Sequence, residues 1–359
     1  MSIKKSKGTN MNIKDYGLKE EKILNKTNGI PARIITTYRE RYEVACDMGK
    51  TFARLKRGSY YDNPNAIYPT IGDFVMIEWN DSGDSMILET LKRDSSFSRT
   101  SSTSDRDHER HHQHEQLVAA NFDYVFIMQS LNENFNLRRI ERYLSLAWES
   151  GAIPVIVLTK RDLVEDYIEY VNEVESIAIG VDVHAVSCKT KEGLEELNKY
   201  FKAGKTIVFL GSSGVGKSTL VNTLMGEEIM QTGEVREADS RGRHTTTNRQ
   251  LIMLPTGAMV IDTPGMRELG MWDCDEGLDK TFADIEQYFG MCKFTDCTHT
   301  NEPGCRVLEA IESGEISKER YEAYIKLKNE ARYNSDSEGY LKEKREKFKQ
   351  IAKMNRSRK

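Results

Sequence analysis

The segment Gly211-Ser-Ser-Gly-Val-Gly-Lys-Ser218 restricts this chain more than any other. It satisfies the G-x-x-x-x-G-K-[ST] pattern in the right context: the apolar run 206–210 predicts an entering strand, and the residues from Lys217 predict a leaving helix over 217–225. The glycines let backbone N–H groups of Gly211, Ser212, Ser213, Gly214, Val215 and Gly216 turn inward as an anion nest. The helix N-terminus, with Thr219 in its first turn, adds partial positive charge. Lys217 would reach the β- and γ-phosphates of a nucleoside triphosphate, and Ser218 would ligate Mg2+. Such a strand–loop–helix belongs in a parallel α/β sheet. Apolar runs at 124–129, 153–158, 183–187, 206–210 and 258–262 supply the strands, and helical stretches at 137–149, 163–178, 192–201 and 217–225 separate them.

Asp262-Thr-Pro-Gly265 follows the last of these strands. An Asp at that strand end can hold Mg2+, and the Gly265 N–H can meet a γ-phosphate. Between the two motifs, Ser240-Arg-Gly-Arg-His-Thr-Thr-Thr247 is polar and suits a switch loop whose threonine completes the Mg2+ shell. Chemistry alone leaves Thr245, Thr246 and Thr247 open, and Thr246 is taken as the ligand. The base is addressed by Thr159-Lys160-Arg161-Asp162, an [NT]-K-x-D match after the run 153–158. A carboxylate there accepts two hydrogen bonds from guanine N1–H and N2–H2, a pair that adenine cannot offer. Ser187-Cys188-Lys189 looks like the companion S-A-K element, in which a backbone N–H meets guanine O6. Both elements end strands, where ligands of open α/β sheets bind.

The base-reading motifs precede the phosphate loop, the reverse of the ordinary order. A circular permutation accounts for this, because termini of a domain often lie close together. The permuted order lets the strand after the switch segment feed directly into whatever follows residue 275.

Residues 29–93 have a different period. Segments 32–38, 41–47, 50–57, 73–79 and 85–92 read as short strands, which predicts a small closed barrel: an OB-fold first, an SH3-like barrel as the alternative. Residues 1–28 are a polar, Lys-rich extension, and 94–116 read as a Ser- and charge-rich linker holding His108, His111, His112 and His114, to which no role is given. At the other end, Cys292-x4-Cys297-x-His299-x5-Cys305 offers the Cys3His set of a closed structural zinc site. With so few cysteines elsewhere, metal is the better reading than a disulfide scaffold. The net charge of −4 hides an asymmetry, since residues 341–359 carry +7 and the remainder −11, which points to a polyanionic partner at the basic end. No apolar run approaches the ~20 residues that span a bilayer, and the basic N-terminus lacks a secretory h-region. Expectation therefore settles on a cytoplasmic chain without a membrane partner, monomeric by default.

In this order the barrel, TKRD, SCK, GSSGVGKS, GRHTTT, DTPG and CKFTDCTHTNEPGC resemble the bacterial small ribosomal subunit biogenesis GTPases, the ribosome small-subunit-dependent GTPase A family, as does Asn134-Phe-Asn-Leu-Arg-Arg-Ile-Glu-Arg-Tyr143. The resemblance runs from about residue 30 to the C-terminus. It implies an OB-fold RNA-binding barrel (29–93), a circularly permuted P-loop GTPase domain (117–275) and a helical zinc-binding domain with a basic tail (276–359). It further implies GTP hydrolysis to GDP and phosphate, slow alone and stimulated by the small subunit, during late subunit maturation. Lys217, Ser218, Asp162, Asp262 and the four zinc ligands would carry their motif roles. Thr159 stands where Asn is commoner, a change expected to loosen the base contact. Met266 occupies the position where many GTPases keep a water-orienting Gln, so slow basal turnover is expected and another group must place the water. His244 is the candidate, against the plainer role of packing or binding RNA. RNA contacts are expected from Tyr38, Arg39, Tyr42 and Arg54 on the barrel, from the metal knuckle and from the tail. Two rival functions are an RNA-assembly factor that uses guanine nucleotide as a clamp with little turnover, and a P-loop kinase with an accessory barrel.

Overall fold

The computed structural model describes residues 11–100, 115–228, 249–262 and 275–336, with isolated positions between 339 and 349. The chain divides into two compact units: residues 1–135, 150–175 and 180–269, and residues 136–149, 176–179 and 270–359.

The first unit opens with the barrel: β1 (Ile30–Thr37), β2 (Tyr42–Cys46), β3 (Gly49–Leu55), the single turn α1 (Arg57–Tyr60), β4 (Phe74–Glu78) and β5 (Ser85–Thr90). β1 pairs antiparallel with both β2 and β4, β3 runs parallel to β5, and β4 is antiparallel to β5, so the ring closes in the order 1-2-3-5-4. That is the OB arrangement, and the SH3-like alternative falls away. Alternate residues point inward, as the period of two demands: Ala32 and Ile34 on β1, Val44 and Cys46 on β2, Val75 and Ile77 on β4 are fully buried together.

Residues 94–116 depart from the expected linker. Their ends are strands, β6 (Ser96–Thr100) and β7 (Glu115–Ala120), paired antiparallel. Phe97 is buried and stacks on Phe122 at 4.8 Å. A Ser-rich composition hides β6 because Phe97 is its one aromatic anchor and its backbone is satisfied by pairing with β7.

The α/β sheet follows with β8 (Tyr124–Ser130), β9 (Ile153–Thr159), α3 (Tyr167–Ile177), β10 (Asp182–Ala185), β11 (Thr206–Gly211), α4 (Lys217–Met225), β12 (Gln250–Met253) and β13 (Met259–Asp262); α2 (Leu137–Glu149), between β8 and β9, belongs to the second unit. β10, β9, β8, β11 and β13 run parallel in that spatial order. β11 is buried along its whole length and β8 nearly so, which explains their near-continuous apolar runs. β12 was not legible as a strand. It pairs antiparallel with β13 on one side and with β1 of the barrel on the other, through Thr36 opposite Gln250. Among the described residues, eleven strands thereby form one continuous sheet from the α/β edge into the barrel.

Arg33 secures this junction. It is 1% exposed, and its guanidinium donates to Gly72 O (3.1 Å), Tyr16 O (2.5 Å), Asn121 O (2.6 Å) and Thr206 Oγ1 (3.0 Å) while lying over the Phe74 ring. Burial pulls its pKa down to about 10, still protonated at neutral pH. The N-terminal extension is also more structured than its composition implies. Short 3-10 turns at Ile13–Tyr16 and Glu20–Lys22 strap residues 11–22 onto the unit, with Ile13, Tyr16 and Leu18 buried. Lys22 reaches Asn121 Oδ1 (2.8 Å) and Asp94 (3.2 Å).

The second unit is helical: α2, α5 (Asp275–Thr281), α6 (Ala283–Glu286), α7 (Arg306–Glu312) and α8 (Lys318–Ser335). Its polar centre is Arg320 of α8, which donates to Glu141 Oε1 of α2 (2.9 Å), to both carboxylate oxygens of Asp284 and to Thr281 O. Glu141 is fully buried and also accepts from Arg138, so the charge is paired on both sides. Gly277 lets α5 approach α2, since a Cβ there would sit 2.1 Å from Ser145 O.

Candidate nucleotide and metal sites

Thr159, Gly211 and Asp262 each close a strand of the parallel sheet, and Ser187 comes two residues after β10. The parallel pairings therefore gather the nucleotide motifs along one edge, the carboxyl ends of the strands.

The loop between β11 and α4 begins under tight packing, for a Cβ on Gly211 would stand 2.8 Å from Met128 O. Gly214 (φ +69°) and Gly216 (φ +99°) take left-handed backbone that other residues adopt at a cost. Lys217 folds its ammonium over the loop, donating to Gly211 O (2.6 Å) and Ser212 O (2.8 Å). A phosphate between these carbonyls and the helix would take over those bonds. Ser218 and Thr219 sit on the first turn of α4, while Ser212 is half-buried and Ser213 exposed.

The Thr159 side chain is directed at the phosphate loop. It is 3% exposed, and its hydroxyl donates to Val215 O at 2.6 Å, so the end of β9 braces the phosphate loop. Lys160 adopts φ +59°, a left-handed turn that redirects the chain. Arg161 N–H donates to Val186 O (3.1 Å), and its guanidinium lies 3.9 Å from the Tyr167 ring centre. The Asp162 carboxylate is oriented by Ser187 Oγ, which donates to Oδ1 at 2.6 Å. The same Ser187 oxygen accepts from the N–H groups of Lys189 and Thr190, at 3.2 and 3.1 Å. One hydroxyl therefore shapes the SCK turn and aims the carboxylate. Burial pushes the Cys188 thiol up, against a hydrogen bond from the Thr223 side chain. Asp262 ends β13, whose Ile261 is level with Val208 of β11. His244, Thr246 and its two neighbouring threonines, Gly265, Met266 and the tract 108–114 lie outside the described residues.

The sequence reading missed the Thr159–Val215 brace, whose donor was visible but whose acceptor is 56 residues away. Of the barrel residues expected to meet RNA, Arg39 and Arg54 are exposed and Tyr38 and Tyr42 are half-buried. Tyr42 is packed against the barrel core, and burial pushes its pKa up to about 12. Arg54 is paired with Asp84 at 2.6 Å. On the same surface Arg41 stacks 4.0 Å from the Phe52 ring centre, with Tyr38 edge-on to Phe52.

In the second unit the four predicted ligand atoms of Cys292, Cys297, His299 and Cys305 lie within 4.8 Å of one another. His299 Nδ1 is 3.5, 3.5 and 3.3 Å from the sulfurs of Cys292, Cys297 and Cys305. Bonds of about 2.3 Å to sulfur and 2.0–2.1 Å to nitrogen at tetrahedral angles put donor atoms about 3.5–3.8 Å apart, so the set fits Zn2+. Burial holds the His299 imidazole below its usual pKa, favouring the neutral form that ligates metal.

Comparison with known proteins agrees with the permuted architecture. Residues 91–272 match the family model described as RsgA GTPase. A Listeria monocytogenes protein named Small ribosomal subunit biogenesis GTPase RsgA 2 is 42% identical, over 97% of this chain and 98% of its own. One of the same name from Lactiplantibacillus plantarum is 44% identical, over 90% of each chain. The crystal structure of YjeQ from Thermotoga maritima matches with a TM-score of 0.62 and 28% identity, covering 84% of this chain and 98% of that one. YloQ, titled a circularly permuted GTPase, matches in fold with a TM-score of 0.56 and 24% identity, covering 86% and 97%. The names favour a hydrolase over a clamp or a kinase. With the permuted motif order, the closed barrel and the Cys3His cluster in one chain, the protein belongs to the RsgA GTPase family.

Proposed function

We propose that this GTPase binds the small ribosomal subunit and its rRNA, hydrolyses GTP there and assists late subunit maturation. The observation that carries the reading is the meeting of TKRD, SCK and the phosphate loop at one sheet edge, with Asp162 aimed by Ser187 and Val215 held by Thr159. Asp162 accepts from guanine N1–H and N2–H2, the SCK backbone meets O6, and Lys160 lies along the base. The loop N–H groups and Lys217 hold the β- and γ-phosphates. Ser218, Asp262 and Thr246 hold Mg2+, which supplies neutralisation of phosphate charge. Water attacks the γ-phosphorus, the bond to the β,γ-bridging oxygen breaks, and GDP and inorganic phosphate leave with the water's proton on phosphate. With Met266 unable to orient that water, His244 does so on the ribosome. Arg41, Phe52 and Tyr38 offer one surface for stacking RNA bases, and the tail offers phosphate contacts. The Cys3His cluster holds one structural zinc. No helix among the described residues is long and apolar enough to cross a membrane.

The test is GTP turnover titrated separately with small and large subunits. Stimulation by small subunits alone, lost in His244→Ala with GTP affinity intact, supports the proposal. Equal or absent stimulation by both overturns the ribosomal assignment, and stimulation that survives His244→Ala removes that residue from its role.

A further inference from the structure

The loop that carries two of the metal ligands is held by a carboxylate that is not one of them. Cys297 and His299 flank Thr298, and the chain then runs through Thr300 and Asn301 to Glu302 before the Pro303-Gly304 turn returns it to Cys305. His299 sits at φ +57°, left-handed backbone that a residue with a Cβ adopts only at a cost. That conformation directs Nδ1 at all three sulfurs, so something must maintain it.

Glu302 is placed to do so. Its Oε1 accepts from Thr298 N–H (3.1 Å) and from the Thr298 hydroxyl, and its Oε2 accepts from the N–H groups of Thr300 (2.9 Å) and Asn301 (3.1 Å). The bonded amides therefore lie on both sides of His299, and a charged acceptor makes each bond stronger than a neutral one would. Around the same residue, the Phe289 ring stacks on the imidazole at 4.6 Å and 10°, and the Tyr321 hydroxyl donates to His299 O at 3.0 Å. The backbone is thus held from the Glu302 side, the ring from the Phe289 side and the carbonyl from α8.

We propose that Glu302 is a positioning residue for the metal centre: it fixes the 297–301 loop in its ligating shape and so sets zinc affinity without touching the metal. This rests on the zinc reading of the Cys3His cluster. A carboxylate outside the ligand set that organises the ligands is a recognised source of affinity, typically 10–100-fold. Without it, zinc must order residues 298–301 and impose the left-handed turn at His299 on binding.

The experiment measures zinc affinity of the full chain by competition with a chromophoric chelator, together with the visible absorption of the Co2+ form. Wild type should bind one zinc, Glu302→Ala should bind it 10–100-fold more weakly, and Glu302→Gln should lie between, since its one acceptor oxygen cannot serve both groups of donors. The Co2+ bands should keep their positions in both variants, because the ligand set is unchanged. Undiminished zinc affinity in Glu302→Ala overturns the inference, as do displaced Co2+ bands, which would make Glu302 a ligand. If wild type binds no zinc, the zinc reading itself has failed, an outcome separable from either. Far-UV circular dichroism keeps the comparison to folded chains, because the Arg320–Glu141 centre does not include Glu302.

Discussion

Thr159 tests whether base and phosphate recognition are joined in this protein. Its hydroxyl donates to Val215 O at 2.6 Å in a site only 3% exposed. Valine is nearly isosteric, so Thr159→Val removes the donor, leaves the β9 backbone in place and strips Val215 O of that partner. A buried acceptor that loses its bond costs about 1–3 kcal/mol. The fraction felt in binding is the cost of restoring the loop around phosphate. If that is about 1–2 kcal/mol, affinity falls about 5–30-fold. GTP and GDP should suffer alike, because both place α- and β-phosphates in the loop. Guanine over adenine preference should survive, because Asp162 is held separately by Ser187. Thr159→Ser keeps the donor and should stay close to wild type. Fluorescent GTP, GDP and ATP analogues titrated against the three proteins read this directly. Unchanged affinities in Thr159→Val, or a loss of guanine preference with the phosphate affinity intact, would refute the brace.

Two other perturbations address the first unit. Arg33→Met removes the hydrogen bonds to three carbonyls, the Thr206 hydroxyl and the Met259 sulfur, leaving the carbonyls of Tyr16, Gly72 and Asn121 without that donor, while relieving the burial of a charge. The balance should be a loss of about 2–4 kcal/mol in urea unfolding, and an unmoved midpoint would show that Arg33 does not secure the junction. The strap should also respond to acid. Burial alone would raise Asp94, but Lys19 and Lys22 hold it below its ordinary value of 3.8. A depressed carboxylate stabilises the fold above its unfolded pKa and loses that contribution as pH falls through its folded value. Amide protection factors in residues 11–22, taken relative to the intrinsic rate at each pH, should therefore fall below about pH 4, and Asp94→Asn should show the lowered protection already at pH 6. Identical exchange in the two proteins at pH 6 would place the strap's stability elsewhere.

Legibility followed the range of the interaction. The phosphate loop, the TKRD and SCK turns and the cysteine spacing are local patterns that dictate their own chemistry, and the barrel strands announced themselves by alternation. The links between elements did not. Arg33 reads as an ordinary strand residue until Tyr16, Gly72, Asn121 and Thr206 surround it. β12 is four residues without alternation, and only pairing on both sides makes it a strand. Residues 1–28 read as a polar, Lys-rich extension because three apolar anchors, Ile13, Tyr16 and Leu18, are diluted among lysines. Glu302 was in plain view two residues from a turn glycine, but its role depends on where three amides point.

The sheet also changes how the permuted order is understood. From sequence, permutation matters because the strand ending at Asp262 leads on toward the C-terminal unit. Its antiparallel neighbour β12, the first strand after the switch segment, makes the other attachment: Gln250 pairs with Thr36 of the barrel, and Arg249 donates to Leu117 O and Val118 O at 3.0 and 3.2 Å. The two strands are thus hydrogen-bonded to each other over residues 250–253 and 259–262, and the first of them is paired with the barrel. If RNA binds the barrel as proposed and nucleotide favours one setting of this strand pair, each ligand must change the affinity of the other by the same factor, which RNA titrations with GTP and with GDP would read.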